Sequence, residues 1–144
     1  MILFFLIVNK LGQTRLAQYY SEQFSQEHRI ALENEVTRSC LARKETDCSF
    51  FEFRELKIIY RRYASLFFIA AVDDDENEMG IYELIHCLVE AYDKHFKNVC
   101  ELDIMYNLDK AYMILDEMIL NGVIVETNRA NVLQNISKFD SFVK

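Results

Sequence analysis

The chain of 144 residues is 51% hydrophobic and 13% aromatic and holds no proline. That composition excludes disorder, a collagen-like repeat and a proline-rich linker, and the length sets the expectation of one domain over residues 1–144. Sixteen Lys and Arg against 23 Asp and Glu leave a net charge of −7, which argues against nonspecific binding to nucleic acid or to an anionic bilayer, so any anion site is local.

The opening run, Met1 to Val8, is apolar throughout. It is far short of the ~20 apolar residues needed to span a bilayer, and it lacks the basic region and small-residue cleavage site of a signal peptide. It therefore reads as a strand buried on both faces. Asn9 to Gly12 supplies turn chemistry and residues 13–20 read as a second strand, so the chain opens with a hairpin. Over residues 28–43 the apolar Leu32, Val36 and Cys40 recur every four positions among charges, the pattern of an amphipathic helix. Three β-rich segments follow, over residues 48–53, 56–63 and 66–72.

The acidic run from Asp73 to Glu78 ends the last strand and begins a helix, with Asp75 and Glu78 spaced as a capping box. Ile81, Leu84, Ile85, Leu88, Tyr92 and Phe96 then follow helical spacing. A further helix is expected from Asn107, with Leu108, Ala111, Tyr112, Leu115, Met118 and Ile119 on one face and Asn121-Gly122 as its stop. The tail over residues 123–144 reads as an extended piece and a short helix. The order β-β-α-β-β-β-α-α predicts an α+β fold with antiparallel pairing and helices covering the sheet.

Catalytic chemistry finds little support. His86, Cys87, His95 and Cys100 lie close in sequence, but nine helical steps of about 100° place the two histidines on opposite sides of one helix, where they cannot converge on zinc. A calcium loop starting at Asp73 fails, because Glu78 stands where a glycine must turn and Leu84 where a bidentate glutamate is required. Three scattered glycines, Gly12, Gly80 and Gly122, make no phosphate cradle, and no nucleophile motif is present. The cysteines Cys40, Cys48, Cys87 and Cys100 form no C-x-x-C pair and are expected to be structural thiols in a reducing compartment. Asn135-Ile-Ser137 matches a glycosylation acceptor but has no meaning without a secretion signal. What remains is basic residues set into an acidic chain: Arg15, and Arg61-Arg62 beside the apolar stretch 63–68. A cation beside apolar residues can hold a peptide that carries an acid and a hydrophobic pair; the competing role is pairing with Glu52 or other carboxylates at the sheet edge.

Four blocks carry a resemblance through nearly the whole chain: Gly12-Gln-Thr-Arg-Leu16, Phe53-Arg-Glu-Leu-Lys-Ile-Ile-Tyr-Arg-Arg-Tyr-Ala64, Asn98-Val-Cys-Glu-Leu-Asp103 and Leu115-Asp-Glu-Met118. With them the sequence resembles the small (sigma) subunits of the heterotetrameric adaptor protein complexes that sort membrane cargo. Residues 121–129 and Glu76-Asn-Glu-Met79 look most like the sigma subunit of adaptor complex four. The resemblance implies a longin-like (SNARE-like) fold, a five-stranded antiparallel sheet flanked by helices, and a role with neither catalysis nor cofactor. It implies partners: the solenoid trunks of large subunits, a medium subunit, an Arf-family GTPase reached through the assembled complex, and cargo tails with acidic dileucine signals. Location would be cytoplasmic, peripheral on trans-Golgi network or endosomal membranes as a coat component.

Carried over by motif position, Arg15 is the contact for the acid of a dileucine signal, and Tyr63, Ala64, Leu66, Val89, Asn98, Val99, Leu102 and Ile104 are the pocket for its leucines. Complex four is better associated with tyrosine-based signals read by its medium subunit, so packing is the competing role for these side chains. The alternatives to this reading are a sigma subunit of a clathrin-associated adaptor of type one or two, and a standalone longin-domain trafficking regulator.

Overall fold

Eight consecutive buried residues make Ile2–Asn9 (β1) a strand covered on both faces. In the computed structural model, which describes residues 1–120 and 123–124, β1 is central, paired antiparallel with Thr14–Tyr19 (β2) on one side and Leu66–Val72 (β5) on the other. Leu56–Tyr63 (β4) pairs with β5, and Phe50–Phe53 (β3) closes the far edge, two residues shorter at its start than the spacing suggests. The sheet order is β2-β1-β5-β4-β3.

Strand alternation divides β1 between two cores. Phe4, Leu6 and Val8 face the helix Gln26–Ala42 (α1), where Val36 and Cys40 are buried, while Phe5 and Ile7 face the helix Glu78–Phe96 (α2). The register shift between Ile2 and Phe4 lets Leu3 and Phe4 both face α1 and sends Ile2 to the α2 side. α2 presents Ile81, Leu84, Ile85, Leu88 and Tyr92 to the sheet, as the periodicity predicts. The α+β class and the five-stranded antiparallel sheet flanked by helices are as expected.

Three local expectations are corrected. The N-cap of α2 is Asn77, whose Oδ1 accepts from the Met79 N–H at 3.0 Å, rather than an Asp75–Glu78 capping box. The acidic run has other partners: Asp73 and Glu76 meet the Met1 ammonium, and Glu78 pairs with Lys57 at 2.9 Å, fastening the helix start to the sheet. A short helix, Glu101–Tyr106 (α3), precedes Leu108–Met118 (α4). α4 also ends at Met118, ahead of the expected stop, because Ile119–Leu120 (β6) turns extended and pairs with Val123–Ile124 (β7). Asn121-Gly122, the rest of the tail and Asn135-Ile-Ser137 lie outside the described residues. Among the described residues no helix is long and apolar enough to cross a membrane.

Candidate functional site

One end of the sheet gathers the singled-out residues. Asn9, the last residue of β1, lies opposite Leu66 of β5, and Leu66 in turn lies opposite Tyr63 of β4, so the β1–β2 and β4–β5 turns emerge side by side. The C-terminus of α2 and the whole of α3 lie over this end, α3 touching both β2 and α4.

Asn9 builds the first turn. Its Oδ1 accepts from the backbone N–H of Leu11 (3.0 Å) and Gln13 (2.9 Å), while Gly12 takes φ +83°, a conformation glycine adopts without a Cβ penalty. The Asn9 Nδ2 then donates to Gln13 Oε1 at 2.9 Å and to Glu101 Oε1 at 2.8 Å. Arg15, on the edge strand β2, donates through Nε to the same Glu101 oxygen at 2.7 Å and through Nη2 to Gln13 Oε1 at 2.9 Å. The bonds from Asn9 and then Arg15 hold the Glu101 carboxyl below its ordinary range. Arg15 and Glu101 keep 25% and 26% of their side-chain surface exposed, so the pair is reachable from solvent.

The second turn is fixed by Asp93 of α2. Its Oδ1 accepts from the Tyr63 hydroxyl and from the Val99 backbone N–H, both at 2.9 Å, tying the end of β4 to the segment that leaves α2. The hydrogen bond to Asp93 raises the Tyr63 hydroxyl above its usual range. Lys97 and Asn98 adopt positive φ (56° and 71°) where α2 stops, and Ala64 does the same (53°) in the β4–β5 turn.

The structure separates the expected pocket residues into two kinds. Leu66, Val89, Val99 and Ile104 are buried together in the core on the α2 side of the sheet, with Tyr63 packed against it. Ala64, Asn98 and Leu102 are exposed around it, Leu102 with 56% of its surface free. Arg15 stands at the rim, joined through Glu101 to the helix that carries Leu102 and Ile104. Sequence reasoning gave Asn9 a part in the turn but missed its bond to Glu101, and it missed Gln13, Asp93 and Glu101 as groups that organise this end. Gln13 and Glu101 do lie inside resemblance blocks, which was the available signal.

Other singled-out groups go elsewhere. The Arg61 guanidinium lies over the Tyr82 ring (5.3 Å), and Arg62 lies over Phe67 (5.7 Å) and 3.6 Å from Glu45, so the carboxylate beside Arg62 is not Glu52. His86 pairs with Glu90 one turn on, and His95 packs edge-on to Phe96, with burial lowering its affinity for a proton. Among the described residues no group of three His, Cys, Asp or Glu is placed to hold a metal.

A family model described as the clathrin adaptor complex small chain matches residues 1–143. The chain is 62% identical over 139 residues to the AP-4 complex subunit sigma of Arabidopsis thaliana, covering 96% of each chain. It is 59% identical over 133 residues to the human AP-4 complex subunit sigma-1, covering 92% of each, and 43% identical to the human AP-1 complex subunit sigma-1A, covering 97% of this chain and 88% of that one. In three dimensions it resembles a chain of a homology model of the full-length AP-3 complex in a stretched open conformation, with TM-score 0.78, 28% identity, and coverage of 98% of this chain and 94% of that one.

Proposed function

The chain belongs to the clathrin adaptor complex small-chain family, and from that premise we propose that it serves an AP-4-type complex on trans-Golgi network or endosomal membranes, recruited there through an Arf-family GTPase bound by the assembly. As an adaptor small subunit it is a trafficking protein and not an enzyme. The higher identity to AP-4 than to AP-1 sigma subunits supports the subtype.

Within that assembly, the end of the sheet around Arg15 reads acidic dileucine signals. The observation that carries this reading is the juxtaposition of a half-buried arginine with an apolar cluster, Leu66, Val89, Val99 and Ile104, at one sheet end. Arg15 receives the acid, and the leucines enter between α3 and the β4–β5 turn, bordered by Tyr63, Ala64, Asn98 and Leu102. Burying two leucines contributes about 3–6 kcal/mol before ordering costs are subtracted. The resulting affinity is weak, roughly micromolar, which suits cargo that must be released.

Two experiments test the proposal. Co-expression with the N-terminal trunks of the large subunits of each adaptor type should give selective, stoichiometric capture by the AP-4 trunk. Capture by another trunk overturns the subtype, and capture by none favours a standalone longin regulator. In the assembled core, Arg15→Ser should abolish binding of an acidic dileucine peptide without disrupting assembly; unchanged affinity removes the anion role.

A further inference from the structure

The anion site at Arg15 already has a carboxylate in it. Arg15 presents one edge, Nε with Nη2, to its neighbours, and that edge is filled by Glu101 at 2.7 Å and Gln13 at 2.9 Å. Glu101 is held a second time by Asn9 Nδ2 at 2.8 Å, so its oxygen sits in a fork of two donors from the β1–β2 turn. A ligand carboxylate set beside Glu101 meets a like charge at short range, whereas one that replaces it inherits both donors.

Glu101 is also the first residue of α3, whose other attachments are the buried Ile104 and its packing against β2 and α4. The helix is six residues long with one buried side chain, Ile104, while Leu102, Met105 and Tyr106 are 56%, 41% and 79% exposed. Ile104 sits in the same core cluster as Leu66, Val89 and Val99, which closes that cluster from α3's side. The Glu101 carboxylate therefore fastens the helix that covers the apolar cluster to the residue that would bind the acid.

We propose that Glu101 is the resident occupant of the Arg15 anion site, and that an acidic ligand binds by exchanging its carboxylate for that of Glu101, which unfastens α3 from the β1–β2 turn and opens the cluster around Ile104. This rests on the dileucine reading given above. It makes the acid and the two leucines of a signal act together: the acid unlocks the helix, and the leucines take the space that Ile104 closes. Glu101 is thus a specificity-determining residue, because a ligand without an acid has nothing to exchange.

The test uses the assembled core and two peptides, one with a single glutamate upstream of a Leu-Leu pair and one with glutamine in its place. Glu101→Gln keeps the size and an acceptor oxygen for Asn9 and Arg15 but removes the charge. It should bind the glutamate peptide about fivefold more tightly than the wild-type core, the change expected when a neutral amide replaces a charge-assisted partner. Unchanged or weaker binding, with Arg15→Ser still abolishing it, overturns the exchange and leaves the dileucine reading standing. If the two peptides bind wild type and Arg15→Ser alike, the dileucine reading itself fails. A readout without peptide decides the fastening: amide hydrogen exchange over residues 101–106 should be faster in both Arg15→Ser and Glu101→Gln than in wild type. Equal protection in all three overturns it.

Discussion

Among the described residues Tyr92 is the largest fully buried side chain, and two substitutions there separate what its ring and its hydroxyl contribute. The ring lies between Phe68 (6.2 Å) and Phe96 (6.1 Å), joining the sheet to α2, while the hydroxyl donates to the Ala111 carbonyl of α4 at 2.7 Å. Tyr92→Phe keeps the packing and removes one buried hydrogen bond. The cost is about 1 kcal/mol, at the low end for a buried acceptor, because a carbonyl within a helix retains its own i+4 partner. Tyr92→Ala removes the ring as well and leaves a cavity among residues that close only partly, a cost of about 3–5 kcal/mol. For a chain of this length the two correspond to drops in Tm of roughly 3 °C and 9–15 °C. Urea unfolding followed by far-UV circular dichroism reads both midpoints, and unchanged slopes confirm that the same surface is exposed. Equal losses from the two substitutions would refute the claim that ring packing, rather than the α2–α4 hydrogen bond, dominates this site.

Two further predictions concern titrating and reactive groups. Cys48 and Cys100 are exposed, Cys87 is half-buried, and Cys40 is buried with its thiol pushed up to about 12, so a thiol-specific reagent followed by mass spectrometry should label Cys48 and Cys100 first and Cys40 only on unfolding; early labelling of Cys40 would contradict its place between α1 and the sheet. Glu101 has a carboxyl lowered in the folded chain by Asn9 and Arg15, so its ionised form contributes stability that is full above the unfolded value near 4.5 and is lost as pH falls through the lower folded value. The difference in urea midpoint between wild type and Glu101→Gln should therefore be constant above pH ~5 and shrink on acidification below pH ~4.5; a difference that persists undiminished to pH ~3 would show that the carboxylate is not what holds α3.

The amino-acid sequence by itself determined the elements whose signal is local. The run from Ile2 to Val8 is apolar at every position and can only be a strand covered on both sides, and α2 repeats its apolar residues over about four turns. The blocks around Arg15, Tyr63 and Val99 were enough to place the chain in its family, because several short motifs in one order are a strong constraint. Tertiary structure decided what joins residues far apart. α3 is too short for helical periodicity to register and has one buried residue, so it becomes a helix through Asp103 accepting from the Cys100 N–H at 2.9 Å and through Ile104 entering the core. The acidic run looked like a cap, yet Glu78 is drawn to Lys57 and Asn77 takes the cap, since the strand beside it offers a cation that no local spacing reveals. Arg15 and Glu101 are 86 positions apart, and Asn9 and Glu101 are 92 apart. Their meeting follows from the β2-β1-β5-β4-β3 order, which sets the β1–β2 turn beside the β4–β5 turn that Asp93 ties to the segment leaving α2, and a hydrogen bond between such distant groups is specified only once the fold has brought them within 3 Å.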